Sequence, residues 1–202
     1  MNQPFKIIRK FKLDNYLKNV LEKSTSNVAP YHNFYHVMCM VKNVYNISKS
    51  LDFNDESTRP LLIAALFHDF NHSMGAHNDA WNVAEAIKSY KLYSKENKET
   101  NLKVINIIEA TQYPYVIPED QLSLEQKIIR DADLMQTFES NYLQQNWMGL
   151  SVEMKTDLLS SLKGSEKFWN SVKFHTDYAQ ALSEEVMPSK FQDVEYLINL
   201  LS

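Results

Sequence analysis

Residues 61–67 read LLIAALF, and His68 and Asp69 follow directly. Seven consecutive apolar residues predict an element buried on every side. Where it stops, an imidazole and a carboxylate stand next to each other. Burying both beside an apolar wall is costly unless something pairs with them. A divalent cation is the obvious partner, so the rest of the chain is read for its other ligands.

The chain has 202 residues, enough for one domain with a sizeable core. It holds only 3 glycines and 6 prolines, and the alternating strand pattern bounded by Gly or Asn-Gly turns is missing almost everywhere. The expectation is an all-α fold, a single compact helical bundle over 1–202. Its metal-site core is expected at about 31–135 and further helices at about 138–202. Lys and Arg number 21 against 25 Asp and Glu, a net charge of −4 with the signs interspersed. That gives no electrostatic reason to expect a nucleic acid or a membrane as partner. The basic patch KIIRKFK at 6–12 reads as a solvated helix face. The single cysteine, Cys39, rules out an internal disulfide and suits a reducing cytosol. Lys6, Arg9, Lys10 and Lys12 interrupt any signal-peptide core, and no run reaches the roughly 20 apolar residues that span a bilayer. A cytoplasmic location is expected.

In order along the chain, Phe5, Ile8, Phe11, Tyr16, Val20 and Leu21 carry helical spacing over 5–23. STSNVAP at 24–30 is a linker. YHNFYHV at 31–37 opens a helix to about Ser50, with Val37, Val41, Val44 and Tyr45 inward. The run from Thr58 to His68 takes Pro60 in its first turn, where proline is tolerated. FNHSMGAHN at 70–78 reads as a loop, and Asn78 or Asp79 caps a helix to about Tyr93. Leu102, Ile105 and Ile108 mark another helix, stopped by Pro114. Ser123 and Gln126 form a capping-box pattern that launches a helix through RDADLMQTF. The last third predicts helices at roughly 138–148, 152–163, 165–187 and, after Pro188, 189–201.

Five of the six histidines lie between 32 and 77. His32 and His36 are four apart, one turn on a shared face if the helix has begun. His72 follows His68 by four. Asp131 and Asp133 are two apart on a later helix, so at most one can point at a given metal. Imidazoles mixed with carboxylates suit zinc, manganese, iron, nickel or cobalt rather than a soft thiolate site. His175 has no partner spacing and reads as an ordinary hydrogen-bonded histidine. Lys127 and Arg130, one turn before Asp133, read as a solvated face, with phosphate contact the alternative. Tyr31, Phe34, Tyr35, Tyr113 and Tyr115 read mainly as core or rim packing.

The order H…HD…D on successive helices resembles the HD-domain superfamily of metal-dependent phosphohydrolases. YHNFYHV is similar to the YHNxxHA/V motif of cyclic-nucleotide phosphodiesterases, and HDFNHSMG to their HDxDHPG. NDAWNVAE resembles their NDxSVLE with the Glu displaced by one residue, and DADLMQ resembles the segment that carries their last metal-binding aspartate. The likeness runs in order over about 31–135. It implies His36, His68, Asp69 and Asp133 as ligands of a divalent transition metal, with Asp69 bridging to a second, weaker ion such as Mg or Mn. It implies His32 as the general acid for the leaving oxygen and His72 as a group near the bridging water. Glu85 would orient His32, while Asn33 and the loop residue His77 would lie near substrate or behind the ligands. The chain departs from those enzymes in being much shorter, in having Asn71 for their second Asp, and in lacking a counterpart of their purine-selecting Gln and Phe clamp.

What this implies is hydrolysis of a nucleotide phosphoester, most like a small phosphodiesterase acting on a cyclic or linear diester. A small nucleotide is then the partner. The alternative with the same metal site is a phosphohydrolase for deoxynucleoside triphosphates or nucleoside monophosphates. A di-iron oxygenase needs more histidine ligands than the chain supplies. A non-catalytic nucleotide-binding module is disfavoured because every expected ligand is present.

Overall fold

The computed structural model describes residues 2–202, and among these every regular element is helical. The run LLIAALF lies in a helix whose residues 61–67 are all 0–1% exposed. Around this helix, α4 (Asp55–Phe67), pack α2 (Asp14–Lys23), α3 (Phe34–Ser50), α5 (Asp79–Tyr93), α6 (Lys98–Glu109) and α7 (Leu124–Leu134). The first helix, α1 (Gln3–Lys10), lies on α3. A helix apolar on all sides is stable only when walled in by others, and that requirement places α4 at the centre of the bundle.

Asparagine side chains set half of the α-helix starts by accepting N–H groups of the first turn. Asn33 accepts from His36 at 3.1 Å, Asn54 from Ser57 at 2.8 Å, Asn78 from Trp81 at 3.0 Å and Asn97 from Thr100 at 2.9 Å. At Ser123 the capping box forms as expected, with Gln126 reaching back to the Ser123 N–H. These caps shift several sequence expectations. α3 starts at Phe34, so His32 precedes the helix and does not share its face with His36. α4 starts at Asp55, which puts Pro60 inside the helix rather than in its first turn. α6 starts at Lys98 and leaves Leu102 exposed, while Val104, Ile107 and Ile108 face inward. The stretch 5–23 breaks at Lys12, whose φ of 54° ends α1, and Phe5 and Leu21 lie outside the core.

The C-terminal third departs most. After a 3-10 turn at Met135–Phe138 and a π-helical turn at Leu143–Met148 come α8 (Gly149–Glu153), α9 (Leu158–Ser171) and α10 (Asp177–Leu201). Pro188 does not divide α10, and the break expected there lies instead at 172–176. The reason is Asp131. Its carboxylate accepts the His175 N–H at 2.9 Å and both the Thr176 N–H and hydroxyl at 2.7 Å, fixing the entry to α10. A second small core of Tyr142, Trp147, Leu162 and Val194 joins α9 and α10 to the π-helical turn. No helix among the described residues is long and apolar enough to cross a membrane.

The central position of α4 has a measurable consequence. Leu62→Ala, at a fully buried site, is expected to cost about 2–5 kcal/mol in urea unfolding. Leu92→Ala, at a site 73% exposed on α5, is expected to stay within about 0.5 kcal/mol.

Candidate metal centre

His68 caps the C-terminal end of α4 and Asp69 follows it, so the apolar helix delivers both to the middle of the bundle. α3 brings His36 and α7 brings Asp133 to the same point. The His36 and His68 Nε2 atoms are 3.0 Å apart. Asp69 Oδ2 lies 2.8 Å from His68 Nε2 and 3.1 Å from His36 Nε2. Asp133 Oδ1 lies 3.2 Å from His36 Nε2 and 3.8 Å from His68 Nε2. The two imidazoles are 0 and 1% exposed, against 14% for Asp69 and 30% for Asp133, so solvent reaches the cluster along the carboxylates.

The outer nitrogens explain why both Nε2 atoms turn inward. His68 Nδ1 donates to the Ala65 carbonyl at 3.1 Å, and since a carbonyl only accepts, Nδ1 carries the proton. His36 Nδ1 is held in the same way by the Gln136 side-chain oxygen. Such partners fix the tautomer and leave Nε2 free as a ligand. Burial alone would lower the pKa of His36, but hydrogen bonds and charge from Asp133 and Asp69 push it up to about 10. The same contest, led by Asp69, raises His68. Asp69 is held well below the usual carboxylate range, burial notwithstanding, by the charges of His68 and His32 and by hydrogen bonds from His36 and His68. Two carboxylates facing two imidazoles call for positive charge in the space between, supplied by protons or by a cation.

His32, from the segment before α3, meets His72, from the loop after α4, in a ring stack with centres 3.5 Å apart. Both present Nδ1 to one oxygen of Glu153 on α8, His72 at 3.0 Å and His32 closer still. The other Glu153 oxygen accepts the Tyr31 N–H at 2.8 Å and the His32 N–H at 3.2 Å. Hydrogen bonds from His32 and His72 overcome burial and hold the Glu153 carboxyl far below its ordinary range. The Glu153 side chain is 0% exposed.

The two clusters differ in their fit to an ion. Two imidazoles bound to one ion at about 2.1 Å, at a right angle or wider, keep their ring centres about 4.5 Å or more apart. His36 and His68 stand at 5.1 Å with their planes 50° apart, which fits. His32 and His72 are stacked too tightly for it. Their trio with Glu153 is a hydrogen-bonded assembly beside the metal-competent cluster, with the His32 and His36 ring centres 5.8 Å apart.

Glu85 does not orient His32. It pairs with Lys88 on its own helix at 2.9 Å, and Glu153 takes its place. Asn33 serves as the α3 cap and ties Pro30 to Gln145, at 2.9 and 3.0 Å. His77 is exposed and stacks on Trp81 with ring centres 4.2 Å apart. Asn71 turns away to Ser89 at 3.1 Å. Asp131 points to the start of α10, leaving Asp133 as the inward member of the pair. Arg130 is buried rather than solvated. Glu153 had no spacing to betray it, being 121 residues from His32. Its only hint was an acid between Val152 and Met154.

With this geometry in place, comparison with protein-family models matches the HD domain over residues 33–137, just over half of the chain. The chain belongs to the HD-domain superfamily of metal-dependent phosphohydrolases. Comparisons with curated proteins and with solved structures gave no match. The match ends at 137, so Glu153 lies beyond the matched HD domain although its carboxylate reaches the two histidines beside the cluster.

Metal binding must displace the protons that the cluster holds. With His36 pushed up to about 10, the apparent Mn²⁺ affinity of chelator-treated protein is expected to rise between pH 7 and 9, about tenfold per pH unit for each proton displaced. Stability of the chelated protein should move the opposite way. A raised imidazole pKa contributes stability that is full below 6.5 and lost as pH rises through about 10. Urea midpoints measured at pH 7 and pH 10.5 check the sign.

Proposed function

We propose that this HD domain hydrolyses a nucleotide phosphoester, most like a small phosphodiesterase, with His36, His68, Asp69 and Asp133 holding a divalent transition metal. The observation that carries the reading is that each imidazole Nε2 lies within 3.8 Å of both carboxylates. A bound divalent ion supplies a water acidic enough to ionise near neutral pH and neutralises charge on the phosphoryl oxygens. The chain supplies the rest. Asp69 brings the same oxygen, Oδ2, to both histidines, so its other oxygen is available to a second, weaker ion.

His32 is the group placed to protonate the leaving oxygen. With Nδ1 held by Glu153, the proton that His32 can give up is on Nε2, the atom a general acid would use. Glu153 fixes His32 by holding both its ring Nδ1 and its backbone N–H. His72, packed against the face of His32 and sharing the same carboxylate, keeps that ring from rotating. The preference for a diester rests on YHNFYHV and HDFNHSMG, whose His32 and His72 form this assembly. A cytoplasmic setting fits the lone Cys39, which is buried.

The test is a panel of cyclic nucleotides, cyclic oligonucleotides and deoxynucleoside triphosphates with Mn²⁺, Ni²⁺ or Co²⁺. Hydrolysis of a diester is the expected result, and no turnover on the whole panel together with no bound metal would contradict the proposal. Asp69→Ala is expected to abolish turnover and weaken metal binding. His32→Ala should slow turnover about 10²–10⁴-fold while metal stays bound. Loss of metal from His32→Ala would mean that His32 is not the acid.

A further inference from the structure

Arg130 is the largest fully buried side chain among the described residues, 2% exposed, and it lies one turn before Asp133 on α7. A guanidinium is always charged, and a buried charge is costly unless paired. Yet Arg130 takes part in no ion pair among the described residues. Its Nε donates to the Ala110 carbonyl at 2.8 Å and its Nη2 to the Ile117 carbonyl at 3.3 Å. Nη1 has no hydrogen-bond partner among the described residues. Asp131, its neighbour, is fully engaged with His175 and Thr176.

The cover over this group is Tyr115, whose ring centre lies 3.9 Å from the guanidinium carbon. Tyr115 belongs to the non-helical connection between α6 and α7 and is only half-buried itself. Burial, followed by the negative charge of Asp133, pushes its hydroxyl pKa up, so the ring sits near both the guanidinium and a carboxylate of the metal-competent cluster. Residues three apart on a helix share a face, which puts Arg130 on the Asp133 side, where solvent enters.

We propose that Arg130 Nη1, uncovered when Tyr115 swings aside, recognises a second phosphate of the substrate, distinct from the scissile phosphoester. This rests on the phosphohydrolase reading and narrows its substrate class to diesters that carry a second, terminal phosphate, such as 5′-phosphorylated linear dinucleotides, for which a nucleoside bisphosphate serves as the non-hydrolysed binding probe. The fork of a guanidinium matches phosphate geometry, with charge-assisted hydrogen bonds. One such contact on an otherwise unpaired buried charge is worth about a tenfold gain in affinity or more.

The test is calorimetric binding of thymidine 3′,5′-bisphosphate and thymidine 5′-monophosphate to the Mn²⁺-loaded full chain. Wild type is expected to favour the bisphosphate at least about tenfold, and Arg130→Lys to reduce that ratio to about threefold or less while the monophosphate affinity holds. A wild-type ratio near one, or a ratio that survives in Arg130→Lys, would overturn the proposal. Should Arg130→Lys fail to fold, Tyr115→Ala uncovers Nη1 without altering it. It is expected to tighten bisphosphate binding selectively, and equal effects on both ligands would count against the subsite. Failure of the two readings separates cleanly. Turnover with no bisphosphate preference removes only the subsite, whereas a preference that needs Arg130 without turnover removes only the hydrolase.

Discussion

Two imidazoles and two carboxylates are held against one another at the end of a helix that sees almost no water, and the rest of the molecule serves that arrangement. Desolvation alone would drive His36 and His68 neutral and Asp69 protonated. The short contacts among the four reverse both tendencies, which is why His36 is pushed up to about 10 and Asp69 is held low. The cluster therefore demands positive charge wherever it is found. Protons satisfy that demand in the metal-free state, and a divalent cation would satisfy it with the same four groups. The dry side of the cluster is α4 itself, and the wet side is the carboxylate edge at Asp133.

A second constraint comes from the far end of the chain. Glu153 reaches the His32–His72 stack only because α8 lies very close to two other segments. A Cβ on Gly149 would meet the Pro30 carbonyl oxygen at 3.0 Å. Gly75 has φ +77°, and a Cβ there would meet the Glu153 carbonyl oxygen at 3.2 Å. Two of the three glycines in the protein are thus spent on seating one short helix between the segment before α3 and the loop after α4. The HD-matched segment supplies the metal-competent groups, and residues beyond it supply the carboxylate that orients His32.

Much of this was legible in the sequence. LLIAALF identified the central helix because its apolar character has no period and admits only one kind of environment. The set of His36, His68, Asp69 and Asp133 came from the resemblance of H…HD…D to the HD superfamily, since only His68 and Asp69 stand a fixed step apart, and the fold brings all four together. Helical geometry showed that Asp131 and Asp133 could not both face one ion, and the choice of Asp133 came from the resemblance. The helix starts were harder, since asparagine caps such as Asn54 and Asn97 resemble loop residues until the N–H groups they accept are seen. Pro188 misled because a proline usually ends or kinks a helix, whereas this one, itself exposed, sits within α10. Glu153 and the pairing of Asp131 with Thr176 depend on contacts across 44 or more residues, and no local pattern encodes them. Arg130 looked like a surface cation because burial of a guanidinium is rare and shows only in the packing of Tyr115 and the α6–α7 connection.

The most direct measurement is anomalous diffraction, at the absorption edge of the bound metal, from crystals of metal-replete protein. One dominant peak is expected about 2.0–2.3 Å from both His36 Nε2 and His68 Nε2, with Asp69 and Asp133 oxygens completing the protein ligands. A peak among His32, His72 and Glu153 instead, or no peak at the His36–His68 pair, would contradict the assignment of the metal centre.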